Sequence, residues 1–428
     1  MDADHNCKTI RQVPCYSELS QNTQPILPVL MSGLGARVRD SLGREYIDCC
    51  AQTLNANLGQ CHPDIVAAVE SQAHRLTCAS SRFGCDVAMR LHERLVSITP
   101  RALNKVNLSS CTGSLANECA LKAARKKTGR SLIFSLHNSH LGQSFETMRT
   151  SGKHFDATYL GDRRTQFFPA PHCYRCPFGK KVDNCSVECL DDLEHSAAQP
   201  ESAAAVIIEP IMVDAGVVVP PQRYHRRLHQ ICKDRSIPLI WDEIQTAFGW
   251  LGQTFAMDLF SVVPDFLSLG KALGAGFPLA ATLFNEKFDV LEYGEHEMTS
   301  GAHPVACAAS LAMLDVLQRR GFLSEVRRKG EVLRYMLTDV RERHPSIGDV
   351  RAVGLLAGIE FIDWRSMEPA PSIAQRVFRS LLEHGVLTRV AASGGGNVLQ
   401  VKPPLVITDQ DLCEFVMRLE KAVTTAET

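Results

Sequence analysis

Apolar and polar positions in the middle of the chain follow two alternating patterns. Short apolar, β-branched runs, such as AAVIIEP at 204–210 and PLIWDE at 238–243, are typical of strands buried on both faces. Longer stretches at 114–129 and 304–321 repeat apolar residues at three-and-four spacing and predict helices. Strands and helices that alternate in this way predict an α/β fold with a mainly parallel sheet covered on both faces.

The two ends of the chain show a different pattern. The segment GARVRDSLGREYIDCC at 35–50 predicts a small antiparallel hairpin, and the segments 347–362 and 397–408 predict strands of a second, smaller layer. A chain of 428 residues exceeds the size at which one core stops growing. We therefore predict a large domain at 75–320 and a small α+β domain formed by both chain ends, 1–74 and 321–428.

The amino-acid composition limits which classes of binding partner are expected. The chain is 45% hydrophobic and 22% charged with a formal net charge of -1, so we predict no nucleic-acid or membrane partner. The longest apolar run is interrupted by Glu209, Pro210 and Asp214, which argues against a membrane span. The N-terminal segment has no apolar core of a signal peptide, and sixteen cysteines without one favour a reducing, cytoplasmic location.

The segment PDFLSLGKALGAGFPLAA at 264–281 holds one lysine, Lys271, among positions that are uncharged after Asp265. A half-buried amine is costly unless it has a partner or a chemical role. One interpretation is a lysine whose stem packs on the protein while its head reaches water. The other is a lysine with a depressed pKa that forms an imine with a carbonyl group.

Two further segments support the second interpretation. Thr112, Gly113 and Ser114 precede a helical run and could hold a phosphate at a helix N-terminus, although this segment taken alone favours Ser114 as a plain helix cap. Asp242 ends a predicted strand, where a carboxylate is either hydrogen-bonded structure or the partner of a buried cation. Phosphate site, aspartate and lysine together predict pyridoxal phosphate, with the lysine as its Schiff-base anchor and the aspartate on its pyridine nitrogen.

Five segments in order carry a resemblance that covers the chain from about Gly35 to its C-terminal region: LGQCHPDIVAAV, TGSLANECALKAAR, VIIEPIMVDAGVVVPP, WDEIQTAFGWLGQTFA and PDFLSLGKALGAGFPLAA. Together they resemble the class III (ω-type) aminotransferases of the fold type I pyridoxal phosphate enzymes. The resemblance implies an enzyme that moves an amino group from an amine or amino acid to a keto acid or aldehyde. Its partners would be a small amine donor and a carbonyl acceptor.

The resemblance also implies roles for individual residues. Lys271 and Asp242 match the two catalytic positions of the family. Thr299 matches a threonine that reaches the phosphate of the neighbouring protomer, which implies a homodimer with shared active sites. His140 takes the place of a ring-stacking aromatic residue, and Leu141 that of a histidine. The positions that match cofactor contacts are Thr112, Gly113, Ser114, His140, Glu209, Asp242, Gln245, Lys271 and Thr299.

Three positions depart from the family pattern in the region of the substrate pocket. Gln400 stands where the family has an arginine that grips a substrate carboxylate, and Asp214 is thereby expected to lose its usual partner. Lys402 could supply the missing charge if its side chain shares a face with Gln400. Trp250 suggests a bulkier and more apolar pocket. A simple α-amino acid is therefore a less certain substrate.

Other functions stay open at this point. Segments such as SITPRALNKVNLSS resemble the branch with the 2,2-dialkylglycine decarboxylases, so a decarboxylating transaminase is one alternative. A racemase or lyase on the same scaffold, or a non-catalytic cofactor-binding partner protein, are others. Cys173, Cys176, Cys185 and Cys189 have a spacing that could hold zinc, but we favour structural cysteines and predict no metal.

Overall fold

The structure of the chain is a computed structural model. It describes residues 28–80, 82–153, 155, 160–161, 164–198, 203–391 and 393–428. Its strands are β1 (Leu30–Leu34), β2 (Arg37–Asp40), β3 (Glu45–Asp48), β4 (Lys105–Ser110), β5 (Ile133–Leu136), β6 (Thr165–Phe168), β7 (Ala205–Ile208), β8 (Leu239–Asp242), β9 (Phe266–Leu269), β10 (Ala280–Phe284), β11 (Ile347–Val353), β12 (Leu356–Phe361), β13 (Val386–Leu387), β14 (Arg389–Val390) and β15 (Val398–Val401). Its helices are α1 (Ala51–Leu54), α2 (Pro63–Arg75), α3 (Asp86–Ser97), α4 (Gly113–Thr128), α5 (Phe145–Thr150), α6 (Asp191–Ser196), α7 (Gln222–Asp234), α8 (Ala256–Phe260), α9 (Pro304–Leu317), α10 (Phe322–Arg343), α11 (Pro371–Glu383) and α12 (Asp409–Glu427).

A seven-stranded sheet forms the centre of the molecule, with the strand order β4-β10-β9-β8-β7-β5-β6. β10 runs antiparallel to both of its neighbours, and the pairs from β9 to β6 are parallel. The predicted α/β architecture of the fold type I enzymes is thus confirmed. Asp242 on β8 pairs with Ser268 on β9, so the carboxyl ends of these two strands lie side by side.

The central strands are buried on both faces, which explains their unbroken apolar sequences. Every residue of β7, β8 and β9 is buried, including the large side chains of Trp241 and Phe266. Each apolar side chain of this size stabilises the fold by roughly 1.5–3 kcal/mol. The helix predicted at 114–129 is α4, which packs on β9 and β10 and ends at Gly129 in the left-handed conformation.

Both chain ends contribute to one small sheet. β1, β2 and β3 form the predicted antiparallel hairpin layer, and β13 adds to it by pairing in parallel with β3, with Val386 opposite Ile47. A second small sheet has the order β11-β12-β15-β14 and comes from the C-terminal region alone. The two ends of the chain are therefore joined by backbone hydrogen bonds.

The domain boundaries given above stay predictions. The boundary between residues 74 and 75 falls inside the last turn of α2, and the boundary between residues 320 and 321 falls between α9 and α10. Residues 1–27 of the predicted N-terminal segment lie outside the described residues. Among the helices that the structure describes, none combines the length and apolar composition needed to cross a lipid bilayer. The cytoplasmic location also stays a prediction.

Candidate active site

Lys271 lies directly after β9, at the edge of the sheet where β8 ends with Asp242. Its backbone has a φ of 44°, in the left-handed region that side-chain-bearing residues rarely adopt. Such a conformation costs on the order of 1–3 kcal/mol, and strain of this kind concentrates at functional sites. Gly270 precedes it, and a Cβ there would lie 3.3 Å from the Cα of Gly113. The turn therefore carries Lys271 close to the start of α4.

The amine of Lys271 is chemically available. Burial lowers the pKa of Lys271, and the charges of Asp242, Asp214 and Glu209 oppose this shift only in part. Its Nζ forms no hydrogen bond or ion pair with any residue that the structure describes. A buried lysine with a lowered pKa and no fixed partner is suited to attack a carbonyl carbon.

Asp242 is held in place by two hydrogen bonds. Its Oδ1 accepts from the backbone N–H of Ile244 at 2.9 Å, and its Oδ2 accepts from Nδ2 of Asn117 at 2.7 Å. Burial raises the pKa of Asp242 to about 6, while the two hydrogen bonds and the charge of Lys271 act in the opposite direction. The carboxylate is therefore ionised at neutral pH and suited to pair with a positive ring nitrogen.

The N-terminus of α4 is suited to bind an anion. Thr112 is the N-cap residue but makes no capping hydrogen bond with its side chain, and the first amides of a helix have no intrahelical acceptor. Gly113 lets the first turn of α4 pack closely against Ile244, because a Cβ there would lie 2.5 Å from Cδ1 of Ile244. The hydroxyl of Ser114 accepts a 3.0 Å hydrogen bond from the backbone N–H of Gln143, which fixes the facing loop.

These groups line one cavity of about 510 Å³, a size typical of small-molecule sites. Ile244 and His140 contribute to its walls. The predicted site residues that line this cavity are Thr112, Gly113, Ser114, His140, Asp242, Gln245 and Lys271. The structure thus brings together a reactive amine, a buried carboxylate and an anion site.

Residues 19–423 match the family model described as aminotransferase class-III. The chain belongs to this family. Individual class III relatives cover nearly its whole length. An acetylornithine aminotransferase of Neisseria meningitidis serogroup B is 34% identical over 408 residues, which are 94% of this chain and 95% of the relative. A leucine/methionine racemase of Thermococcus litoralis is 32% identical over 407 residues, 93% of this chain and 91% of the relative.

A solved structure supports the same family from the fold. An amine transaminase from an uncultivated Pseudomonas species, in its pyridoxal phosphate-bound form, superposes with a TM-score of 0.88 at 29% identity. The match covers 95% of this chain and 99% of that structure. The protein is therefore a pyridoxal phosphate-dependent aminotransferase of class III, as the sequence predicted.

The cavity of this class III aminotransferase fits its cofactor. The N-terminus of α4, which has no side-chain cap, suits a phosphate, and Asp242 suits the pyridine nitrogen. Nδ1 of His140, which lines the cavity, is buried and lacks a hydrogen-bond partner among the described residues. Groups of this kind require a partner, and a polar ligand would supply one.

His140 and Glu209 are linked to each other. The backbone N–H of His140 donates to Oε2 of Glu209 at 2.9 Å, so Glu209 positions the cavity wall. Burial lowers the pKa of His140 to about 4, and the imidazole is therefore neutral at neutral pH. Burial, and after it the charge of Asp242, raises the pKa of Glu209 well above its usual range. The predicted contact of Glu209 with the cofactor stays a prediction, because Glu209 does not line the cavity.

Asp214 has cationic partners other than the arginine of the family pattern. Its carboxylate has two cationic partners, since Lys153 Nζ lies 3.1 Å from Oδ2 and Arg389 Nη2 lies 3.7 Å from Oδ1. The arginine of the family pattern is absent, because Gln400 stands in its place. The two cations come from distant parts of the chain, so the sequence did not indicate them. Gln400 is buried and donates from Nε2 to the carbonyl oxygen of Val213 at 2.6 Å, which makes it a structural bridge.

Two other predicted residues lie away from the cavity. The ring of Trp250 is 0% exposed within the main core, and the structure does not bring it to the cavity. Its ring packs within this core. Thr299 is exposed and lies outside the cavity of its own chain. Its predicted role concerns a neighbouring protomer and is taken up below.

Asn117 is a site residue that was not predicted from the sequence, although a signal was present. Asn117 is a polar residue on the apolar face of α4, where its neighbours Ala116, Cys119 and Ala120 are buried. A buried amide in such a position needs hydrogen-bond partners. Asn117 finds them in Asp242 and in the carbonyl oxygen of Leu141, each at 2.7 Å.

The cysteine loop has no metal-binding arrangement. Within the described residues, which include all four of these cysteines, no cluster of three or more histidine, cysteine, aspartate or glutamate side chains could hold a metal ion. Cys185 instead donates to Oε2 of Glu188 at 3.4 Å and accepts from the backbone N–H of Val187 at 3.2 Å. Burial raises the pKa of Cys189 to about 12, so its thiol stays protonated at neutral pH.

Proposed function

We propose that this aminotransferase moves an amino group between a small amine or amino acid and a carbonyl acceptor, with Lys271 as covalent anchor and proton carrier. The observation that carries this proposal is the presence of Lys271, Asp242 and the helix N-terminus at Gly113 in one cavity. Bound pyridoxal phosphate supplies an electron sink for negative charge at the substrate α-carbon.

The residues of this chain have distinct roles in that reaction. Asp242 keeps the ring nitrogen of the cofactor protonated, and Asn117 with the backbone of Ile244 keeps the carboxylate in position. The amides at the start of α4 hold the phosphate. Lys271 first holds the cofactor through its amine. When a substrate takes its place, this buried amine, whose pKa burial lowers, would accept a proton from the α-carbon and return it.

The decisive experiment compares the absorption spectra of wild type and Lys271→Ala, each supplied with pyridoxal phosphate and a panel of amines. We expect a band near ~420 nm in wild type that bleaches with at least one donor, and no such bleaching in the variant. Including 2-aminoisobutyrate and measuring released carbon dioxide tests the decarboxylating alternative. A wild type without the band at saturating cofactor would contradict the enzymatic role and favour a partner protein.

A second candidate is amino acid racemisation, which is favoured by the similarity to the racemase of Thermococcus litoralis. Racemisation needs the same lysine anchor and the same electron sink in the cofactor. It differs in that the proton returns to the opposite face of the α-carbon. Incubation with an L-amino acid in D₂O, without any carbonyl acceptor, distinguishes amino transfer from racemisation. Accumulation of deuterated D-enantiomer at the rate of turnover favours the racemase, whereas strict dependence on an acceptor favours amino transfer.

We propose further that the protein forms a homodimer with shared active sites. Thr299 is exposed and its own chain does not place it in the cavity, which supports a contact with the cofactor phosphate of a second copy. Light scattering should report a mass of two chains. Thr299→Val should weaken cofactor binding without changing that mass. A monomer that retains full cofactor affinity would refute the shared site.

A further inference from the structure

The loop at residues 292–303 carries Thr299 and lies between β10 and α9. The phosphate site assigned above lies elsewhere in the sequence, where β4 leads into the cavity wall at Cys111 and Thr112 and α4 follows directly. The 292–303 loop nevertheless contacts both β4 and α4. It is therefore attached to both elements that form the phosphate site of its own chain.

Backbone contacts attach the 292–303 loop to β4. The backbone N–H of Ala302 donates to the carbonyl oxygen of Leu108 at 2.9 Å. Gly301 permits this approach, because a Cβ there would lie 2.4 Å from the carbonyl oxygen of Ser109. The loop and the end of β4 thus lie backbone against backbone, and a displacement of one of them must be followed by the other.

The side chain of His296 attaches the same loop to β4 and α4 together. It is 5% exposed, its Nε2 lies 3.1 Å from Oγ of Ser110, and its Nδ1 lies 3.5 Å from Nζ of Lys122 on α4. Because an ammonium group can only donate, Nδ1 is the acceptor, and Nε2 carries the hydrogen that Oγ of Ser110 accepts. Burial, followed by the charge of Lys122, lowers the pKa of His296 to about 4, so the bridging imidazole is neutral.

Lysine side chains of α4 hold the loop at a second place. Nζ of Lys122 donates to the carbonyl oxygen of Glu295 at 3.1 Å, and Nζ of Lys126 lies 2.6 Å from Oε2 of Glu295. An exposed ion pair contributes little to stability, whereas a broken buried hydrogen bond leaves polar groups unpaired. The buried bridge through His296 is therefore the contact that fixes the loop relative to the phosphate site.

We propose that His296 is a positioning residue that couples the phosphate site of its own chain to Thr299, the residue assigned to the neighbouring site. This inference rests on the proposed homodimer with shared active sites. When one site is filled, the end of β4 and the start of α4 become fixed, and the bridge through His296 fixes the loop that serves the other site. The second cofactor molecule then meets a site that is already partly ordered, so the two bind with positive cooperativity.

Titration of the dimeric apoenzyme with pyridoxal phosphate, followed by calorimetry, tests the coupling without any turnover. In wild type we expect the second cofactor molecule to bind at least about fivefold more tightly than the first, after statistical correction. In His296→Phe, which removes both ring nitrogens, the two affinities should be equal. His296→Gln should restore part of the difference, because its amide can still donate to Oγ of Ser110.

Matched variants keep the titration interpretable. Ser110→Ala removes the other end of the same hydrogen bond and should abolish the difference even if His296→Phe fails to fold. His384→Phe makes the same substitution at an exposed histidine that follows α11 and contacts Ser380 of that helix, and it should keep the wild-type difference.

Hydrogen exchange tests the physical basis of the coupling. At saturating pyridoxal phosphate, exchange of the backbone amides at 296–303 should slow in wild type and in Thr299→Val, because the bridge to the phosphate site is intact in both. Exchange at 296–303 should stay fast in His296→Phe. Protection that is lost in Thr299→Val and kept in His296→Phe would show that the loop responds only to the cofactor of the neighbouring site, which contradicts the bridge.

The possible outcomes separate the coupling from the proposals on which it rests. Equal affinities for the two cofactor molecules in a wild-type dimer, or a difference that is unchanged in both His296→Phe and Ser110→Ala, would overturn the coupling even if amino transfer proceeds. A monomer in light scattering would contradict the shared site and the coupling together. A dimer that binds its cofactor cooperatively but transforms no donor would support the coupling and contradict the proposed reaction.

Discussion

The side-chain amide of Asn117 donates a 2.7 Å hydrogen bond to Oδ2 of Asp242, the carboxylate assigned to the cofactor ring nitrogen. Both residues are buried, and the second hydrogen of the same amide is used by the carbonyl oxygen of Leu141. The start of α4 therefore supplies both the anion site at Gly113 and, one turn later, the group that orients Asp242. Under the proposed function, one helix would position two ends of the cofactor.

Asn117→Leu should impair catalysis while leaving the fold intact. A hydrogen bond to a charged group contributes about 1.5–3 kcal/mol, so we expect kcat/KM to fall about tenfold to a hundredfold. Because the lost bond lowers the pKa of Asp242, that pKa should rise, and the acidic limb of the pH–rate profile should move to higher pH. The exposed Asn184→Leu is the control. If the acidic limb of the pH–rate profile does not move in Asn117→Leu, Asn117 does not position Asp242.

Gly113→Ala should weaken cofactor binding. Its new Cβ would lie 2.5 Å from Cδ1 of Ile244, so either the cavity wall or the first turn of α4 must move. We expect the dissociation constant for pyridoxal phosphate to rise at least about tenfold, measured by titration of the apoenzyme. Gly84→Ala is the matched control, because a Cβ there meets nothing within 4 Å. Equal affinity in both variants would contradict the assignment of the phosphate site.

Lys402→Met should change how stability depends on pH. Burial, followed by the charge of Arg389, lowers the pKa of Lys402 to about 7, from about 10.4 in an unfolded chain. The folded state therefore carries an unfavourable charge below pH 7, and this cost declines as pH rises towards 10. The advantage of the variant in melting temperature should be largest near pH 6.5 and smaller at pH 9.5.

The control for this experiment removes a lysine from the surface. Lys421 lies at an exposed position on α12. Lys421→Met therefore changes the net charge equally and leaves Lys402 and its hydrogen bond to Gln400 in place. The loss of the donor to Gln400 in Lys402→Met affects stability at every pH and does not alter the sign of the trend. A difference from wild type that grows between pH 6.5 and pH 9.5 would contradict the lowered pKa.

Removal of metal should have no effect on this protein. The cysteine loop contains no arrangement of described side chains that could hold a metal ion. A bound metal would stabilise the native state by mass action, and its removal would lower the melting temperature. We expect dialysis against a chelator to leave that temperature unchanged within about 1 °C. Stoichiometric zinc in the purified protein would overturn this expectation.

The predictions that succeeded rest on local signals. The apolar run that ends at Asp242 specifies a doubly buried strand, and the glycines around Lys271 specify a tight turn at a strand end. The spacing of apolar residues predicts the helix that begins at Gly113. Each signal lies within a short segment, and the parallel topology then brings the segment ends to one edge.

The features that the sequence did not indicate depend on distant contacts. Asp214 is paired by Lys153 and Arg389, which lie far from it in sequence and on different elements. Trp250 shows that a large apolar residue within a functional motif can serve the core. No pattern of neighbouring residues encodes such pairings, because they arise only when separate sheets and loops pack together.

The pairing of β13 with β3 has a consequence for how the protein is made. The strand around Ile47 leaves the ribosome early, yet its partner at Val386 is synthesised on the order of tens of seconds later at ordinary translation rates. Until then, the edge of β3 presents unpaired backbone groups, a known starting point for intermolecular association. The nascent chain therefore needs protection at this edge, and truncation before residue 386 would make the vulnerability permanent.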